Sequence, residues 1–336
     1  MNKIEFVARF CLFSIFWWGG VLLVCLIQLP AVLILWPWRG AYRAVMRTSQ
    51  RFFANLLIVI TAIFSPLKIV MTGCHQDLNG DSFVTLIANH QIYTDWWYVW
   101  LFSYFKGAHD SIKIMLIQIL GRIPFMGWGM YGFEFIFLAR KWNIDRSRII
   151  QSLERVKNDK SGLWLLLFPE GTIICQETMD KSIAYSKKAD IPFSSKHVLL
   201  PKCTGLFHAL RSLASDERAA YLYDFTIGYS NQKSDQFAYD LFSPVSVFIE
   251  KKGPSQIHMH VNRFKILSIP GIDASPYNPD EKVPAEFEQW LFKRFKEKEK
   301  MLAKFYAAGV FPDTCTDSDS RGGKQVFEIN VKYLLS

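Results

Sequence analysis

Residues 10–38 carry no charged side chain, and Leu, Val, Ile, Phe and Trp dominate the run. It is far longer than the apolar core of a cleavable signal peptide, so a retained membrane segment is expected. Gln28 and Pro30 interrupt its second half, and Trp36 and Trp38 stand where an interfacial aromatic belt would lie. A second uncharged run, residues 52–67, is shorter and contains Pro66, which suits a re-entrant or interfacial helix. Between the runs, Arg39, Arg43, Arg47 and Arg51 recur every four residues and would form one stripe on a helix. With membrane-seeking flanks, that stripe is expected to lie on lipid phosphates and to mark the cytosolic side. If the second run turns back without crossing, everything after Lys68 is cytosolic too.

Composition bounds the remainder. A chain of 336 residues holds one large domain or two small ones. With 50% hydrophobic and 21% charged residues, disorder, collagen and coiled coil are excluded. A net charge of +9 suits an anionic partner: a membrane surface, a phosphorylated substrate or nucleic acid. No nucleic-acid module is visible. The six cysteines show no CxxC pairing and read as ordinary reduced thiols.

From about Val70 the pattern predicts strands alternating with helices. Strands are expected at Phe83–Ala88, at 133–138 and at 162–168, where GLWLLLF is apolar throughout, as in a strand covered on both faces. Further strands are expected at 197–200, 222–229 and 257–264. Helices are expected at 94–105, at 143–157 and from Pro284 to about Tyr306, the last with an apolar stripe at Phe287, Leu291, Phe295, Leu302 and Phe305. The fold class is α/β, membrane-anchored, with a mixed or mostly parallel central sheet flanked by helices. Expected domains are 1–71 as membrane-anchoring helices, 72–310 as the α/β domain and 311–336 as a tail.

Two constellations carry chemistry. In Asn89-His90-Gln91-Ile92-Tyr93-Thr94-Asp95, His90 and Asp95 would stand about 140° apart on a regular helix, too far to bond. With His90 in a strand-to-helix turn and Asp95 in the first helical turn they can meet. Asp95 would then fix the imidazole tautomer and leave the other ring nitrogen ready for a proton. The bland alternative is helix capping. The second constellation, Phe168-Pro169-Glu170-Gly171-Thr172, follows the buried 162–168 strand, at the strand end where α/β proteins place ligands. Its chance expectation in such a chain is on the order of 10⁻⁴.

The pair of motifs resembles the signature of the glycerolipid (1-acylglycerol-3-phosphate) O-acyltransferase family. The family's second motif matches Phe137-Leu138-Ala139-Arg140 and its fourth matches Val198-Leu199-Leu200-Pro201, in the family's order. Glu134 stands where many members have Gly, and Ala139 where many have an acidic residue. With Lys141-Trp142, these departures look like the lysocardiolipin acyltransferase branch. Some members of that branch carry a further apolar stretch near the C-terminus, so a C-terminal anchor is expected to be missing or never to have been present. The resemblance implies an acyl-CoA-dependent enzyme that acylates a lysophospholipid, with membrane lipid as partner and acyl-CoA as co-substrate. An endoplasmic-reticulum membrane location with a cytosolic catalytic domain follows.

His90 would be the base and Asp95 its orienter. Arg140 and Lys141 would hold phosphate, with Trp142 near the headgroup or in the core. By the resemblance, Glu170, Gly171 and Thr172 hold the acceptor and Pro201 shapes the acyl-donor side. Oxyanion donors are expected among turn N–H groups near Asn89–His90 or Gly171. No cofactor is required, and no metal is expected, because His258 and His260 alternate on a strand without a third ligand. Remodelling of anionic lysophospholipids, of lysophosphatidylinositol or lysocardiolipin type, is favoured. The alternatives are acylation of lysophosphatidic acid in de novo synthesis, a thioesterase and a catalytically inactive lipid-binding paralogue.

Overall fold

The structure, a computed structural model, describes residues 1–79, 83–158, 162–216, 218, 221–315 and 322–335. Asn2 caps the first helix, α1 (Lys3–Pro30), by accepting from the Glu5 N–H. Pro30 does not end it; the chain winds on through a π-turn at Ala31–Leu35. Among the described residues, Lys3–Leu35 is the one helix long and apolar enough to cross a membrane. One face of it, with Val21, Val24, Cys25 and Gln28, is buried by protein, while Leu22, Leu26, Leu29 and Leu33 are exposed.

Helix α2 (Arg39–Phe64) returns alongside α1 and holds most of the second uncharged run. That run is buried in the domain rather than exposed to a bilayer: Leu57, Ile58, Ile60 and Phe64 are all in the core. The apolar stripe of α2 packs on α3 (Asp95–Phe105), with Phe53 against Trp100 at 5.4 Å between rings and the Trp97 indole donating to Thr61. The arginine stripe is also partly used inside the protein. Arg47 and Arg51 both reach the buried carboxylate of Asp110, at 3.0 and 2.6 Å, and Arg43 donates to the Arg155 carbonyl. Charges committed in this way are not a free lipid-phosphate face.

Among the described residues the sheet has eight strands: β1 (Leu67–Gly73), β2 (Phe83–Ala88), β3 (Ile112–Ile117), β4 (Ile136–Leu138), β5 (Leu163–Leu167), β6 (Tyr221–Tyr229), β7 (Gln256–Lys265) and β8 (Gln325–Ile329). Their spatial order is β4-β3-β5-β2-β6-β7-β1-β8, and only β6–β7 and β1–β8 pair antiparallel. Every residue of β2 and β5 is buried, as the continuous apolar runs require. Helices α4 (Met126–Gly132), α5 (Trp142–Lys157), α6 (Gln176–Lys188), α7 (Cys203–Leu213), α8 (Ala238–Leu241), α9 (Pro244–Phe248), α10 (Ala285–Ala308) and α11 (Val331–Leu335) complete the fold. The α10 stripe Phe287, Leu291, Phe295, Leu302 and Phe305 is fully engaged in the core.

The structure departs from the sequence expectations at several points. Residues 197–200 form no strand, because the donors there bond side chains instead of a neighbouring backbone: Leu199 N to Glu170 and Leu200 N to Ser182. The expected tail supplies β8, which extends the sheet beyond β1; residues 316–321 and Ser336 of that segment lie outside the described residues. Cys74, just past β1, forms a disulfide with Cys315, 241 residues away, with the Cα atoms 4.9 Å apart. The reading of all six thiols as reduced is thereby corrected for this pair.

Candidate active site

Strands β2 and β5 are parallel neighbours, with Ile87 opposite Leu167, so the segments that follow them emerge side by side at one sheet edge. This register brings the two sequence constellations together. Asn89 continues β2 by proxy: its side-chain amide donates to the Ile227 carbonyl and accepts from the Ile227 N–H, closing onto β6. The chain then turns at His90, and Asp95 opens α3.

His90 Nδ1 lies 2.7 Å from Asp95 Oδ2, and the same oxygen accepts the backbone N–H groups of Gln91 and Ile92 at 2.6 and 3.0 Å. The other oxygen, Oδ1, accepts from the Tyr229 hydroxyl at the far end of β6. Asp95 is fully buried, so four donors compensate one desolvated carboxylate. The imidazole stacks on Phe168, with 4.3 Å between ring centroids, and keeps 18% of its side chain exposed. With Nδ1 directed to the carboxylate, Nε2 is the nitrogen available to accept a proton; among the described residues nothing bonds it.

Glu170 stands directly behind His90. Its Oε1 accepts from the His90 N–H and its Oε2 from the Leu199 N–H, both at 2.8 Å. Both oxygens are thus taken by backbone, and the side chain is buried. Burial pushes its carboxyl up to about 8, opposed by the two N–H bonds. Gly171 adopts φ +69°, a left-handed conformation that favours glycine, and a Cβ there would come within 3.2 Å of Lys202 Nζ. Arg140, itself at φ +61°, donates from its guanidinium to the Gly171 carbonyl, and the Lys202 N–H donates to the Pro169 carbonyl.

Burial lowers the Lys202 ammonium, and Arg140 beside it lowers it further. Two cations, Arg140 and Lys202, therefore stand against the turn after β5 at Gly171.

The remaining expected residues fall as follows. Lys141 is exposed, and its N–H, with that of Ala139, is held by the buried carboxylate of Asp145 in the first turn of α5. Thr172 is half-buried beside Gly171, and Pro201 is buried. Trp142 stacks on His208 at 4.3 Å, so one face of the indole is covered by protein. Glu134, at a position where many relatives are expected to have glycine, holds φ +58° and pairs with Lys113 at 3.0 Å. The N–H groups expected to meet an oxyanion are already engaged, His90 N with Glu170 and Gly171 N with the Phe168 carbonyl. Among the described residues, no group of three His, Cys, Asp or Glu side chains is placed to hold a metal ion.

Sequence reasoning missed Tyr229 and Lys202 as members of this site. Tyr229 lies 134 residues from Asp95, and only the β2–β6 pairing brings its hydroxyl there. Behind the site, α10 sends Lys298, 1% exposed, to Asp224 and the Phe225 carbonyl, and Arg294 reaches the same carboxylate at 3.1 Å. This buried ion cluster ties α10 to β6.

Residues 74–230 match the model of a family described as acyltransferase, and residues 248–334 match one described as acyltransferase C-terminus. An uncharacterized acyltransferase of Schizosaccharomyces pombe is 32% identical, over 81% of this chain and 77% of its own. A Saccharomyces cerevisiae protein named 2-acyl-1-lysophosphatidylinositol acyltransferase is also 32% identical, over 79% of this chain and 76% of its own. A Danio rerio protein named lysocardiolipin acyltransferase 1 is 28% identical, over 79% of this chain and 63% of its own. Two matches at 32% identity, each spanning about four fifths of this chain and three quarters of the relative, join the motifs at the ends of β2 and β5, and on that footing the chain belongs to the acyltransferase family.

Proposed function

We propose that this protein is an acyl-CoA-dependent acyltransferase that esterifies the free hydroxyl of an anionic lysophospholipid, of lysophosphatidylinositol or lysocardiolipin type. The observation that carries the reading is the His90–Asp95 contact at 2.7 Å, with Nε2 left open beside a turn bearing Arg140 and Lys202. A lipid hydroxyl is a weak nucleophile. His90 Nε2 takes its proton as the oxygen attacks the thioester carbonyl carbon, forming the new C–O bond. Asp95 holds the imidazole and stabilises the imidazolium. Collapse of the tetrahedral intermediate breaks the C–S bond, and the proton passes from His90 to the departing CoA thiolate.

In this reading Glu170 acts through His90, bracing its backbone against Leu199, rather than by touching the acceptor. Arg140 and Lys202 hold the acceptor phosphate, with Lys141 adding charge at the rim. Thr172 lines the acceptor side of the same turn, and Pro201 shapes the acyl-donor side. A cleft of about 260 Å³ beside Trp142, lined also by Arg146, His208, Lys282 and the carboxylates of Asp280 and Glu281, is large enough for a polar headgroup bulkier than a bare phosphate. Residues 1–71 associate with the membrane through α1, and the enzyme works at the endoplasmic reticulum.

The supply of acyl-CoA favours a cytosolic active site. The Cys74–Cys315 disulfide favours a second reading, in which the domain faces an oxidising lumen. Protease protection of residues 89–201 in sealed microsomes separates the two.

The acceptor is tested with membranes expressing the chain, labelled acyl-CoA and a panel of lysolipids. Lysophosphatidylinositol or lysocardiolipin is expected to be used best. A tenfold preference for lysophosphatidic acid, about 1.4 kcal/mol in transition-state terms, would transfer the enzyme to de novo phosphatidic acid synthesis.

A further inference from the structure

The segment between β3 and β4 is apolar in an unusual place. Residues 123–133 carry no charge, and the chain nevertheless exposes Ile119, Phe125, Trp128 and Tyr131, at 57%, 48%, 61% and 54%. Phe125 adopts φ +60°, which a bulky aromatic residue rarely does, and its ring meets Trp128 edge-on at 6.0 Å.

This segment is fastened to α1. Cys25 Sγ donates to the Phe125 carbonyl at 3.2 Å, and the Gln28 amide donates to the Gly129 carbonyl at 3.3 Å. The glycines permit the approach: a Cβ at Gly132 would collide with the Gln28 amide at 2.3 Å. The exposed aromatics therefore lie beside residues 25–28 of α1, where Leu22, Leu26 and Leu29 are exposed as well. A medium that meets those leucines also meets Phe125 and Trp128.

Much of the backbone here is bonded within the segment, although the N–H groups of Phe125 and Trp128 are not. Ile123, Met126, Gly127, Gly129 and Phe133 all donate to carbonyls within residues 120–129, and Pro124 has no N–H to satisfy. Such internal pairing lowers the cost of placing irregular backbone beside hydrocarbon.

We infer that residues 119–131 form a second membrane-immersed surface, its apolar side chains seated in lipid hydrocarbon beside the C-terminal half of α1 without crossing the bilayer, and its one cation, the exposed Arg122, reaching to the headgroup level. Tyr131 packs on Phe137 of β4 at 4.4 Å between rings, and Arg140 follows two residues after the end of that strand. The immersed surface thus adjoins the strand that presents the phosphate-binding arginine, a short path for a lysolipid leaving the leaflet. The inference rests on the proposed membrane association of α1 and on the lysolipid reading of the site.

The test places the full chain in phosphatidylcholine liposomes containing a phospholipid with a diazirine in its acyl chain. Carbene adducts are mapped by mass spectrometry after photolysis. Adducts are expected on residues 119–131 and on the outer face of α1, with none on the charged α6 (Gln176–Lys188). Labelling of α1 with residues 119–131 clean would overturn the immersion while sparing the membrane reading of α1. Absence from both would overturn both. Crosslinks between copies through Trp128, without lipid adducts there, would make the patch a contact between two chains and also reject the proposal.

A second arm uses the double variant Phe125→Glu, Trp128→Glu. KM for bilayer-embedded lysolipid should rise tenfold or more, while turnover of a monomeric short-chain lysolipid stays within twofold. Equal loss on both substrates, or loss on neither, contradicts immersion.

Discussion

Replacing Glu170 by glutamine separates two properties of the buried carboxyl. In the wild type its oxygens accept the N–H groups of His90 and Leu199. Glutamine keeps one acceptor and turns its amide toward the other N–H, leaving a buried donor unpaired at a cost of about 1–3 kcal/mol. Titration acts in the opposite sense. Burial carries Glu170 up to about 8, against the lowering effects of the two N–H bonds and Lys298, with Asp95 adding a rise.

A group held higher in the folded chain than in the unfolded one stabilises the fold fully below its unfolded pKa. That contribution is lost as pH rises through the folded value. For a carboxyl moving from an ordinary ~4.5 to about 8, the loss is on the order of 5 kcal/mol. Glutamine does not titrate, and the groups common to both proteins largely cancel in the comparison. Thermal unfolding midpoints, followed by tryptophan fluorescence in liposomes at one scan rate, should therefore favour the wild type at pH 5. The variant should draw level or overtake by pH 9. A wild-type advantage that stays constant from pH 5 to 9 would refute the assignment of a proton to Glu170 in this range.

Three further outcomes follow from the same structure. Tyr229→Phe removes one donor from the buried Asp95 carboxylate, a charge-assisted bond of roughly 1.5–3 kcal/mol; kcat should fall about tenfold or more while KM for acyl-CoA is unchanged, as steady-state kinetics will read. Burial raises the Asp110 carboxyl, but Arg47, Ser111 and Arg51 outweigh it and leave it below its usual range; Asp110→Asn should cost stability at pH 7, and the gap should close as pH falls through the folded value. Replacing Cys74 and Cys315 by serine should lower the unfolding midpoint by the equivalent of about 2–4 kcal/mol, and peptide mapping without reductant should find the wild-type pair bridged.

What could be read from the sequence was local. The continuous apolar run of β5 and the 83–88 run of β2 were legible because strands buried on both faces need no alternation. The stripe of α10 was legible for the corresponding reason at helical period. The meeting of His90 and Asp95 followed from a strand giving way to a helix, two elements adjacent in the chain.

The rest depends on pairings between distant segments. Tyr229 reaches Asp95 only because β6 lies beside β2, and Cys315 reaches Cys74 from 241 residues away. The acceptor role of Glu170 came from the family resemblance; its bond to the Leu199 N–H could not be read locally, because the chain at 197–200 has to fold over it first. The arginine stripe of α2 was visible, but its buried partner Asp110 lies in another part of the chain, so the choice between lipid and protein was not local. The apolar run 52–67 had the same ambiguity: hydrocarbon and a protein core select the same side chains, and the packing of α2 on α3 decided for the core.

The proposed mechanism makes His90 the base for acyl transfer to a lysophospholipid. It is tested most directly by purified wild type and His90→Ala in liposomes, each given labelled acyl-CoA and lysophosphatidylinositol. The wild type should form labelled diacyl lipid. His90→Ala should do so at least ~10²-fold more slowly, in the range for loss of a general base, while still binding acyl-CoA and folding normally by its thermal midpoint. Transfer by His90→Ala at a rate close to wild type would contradict the mechanism.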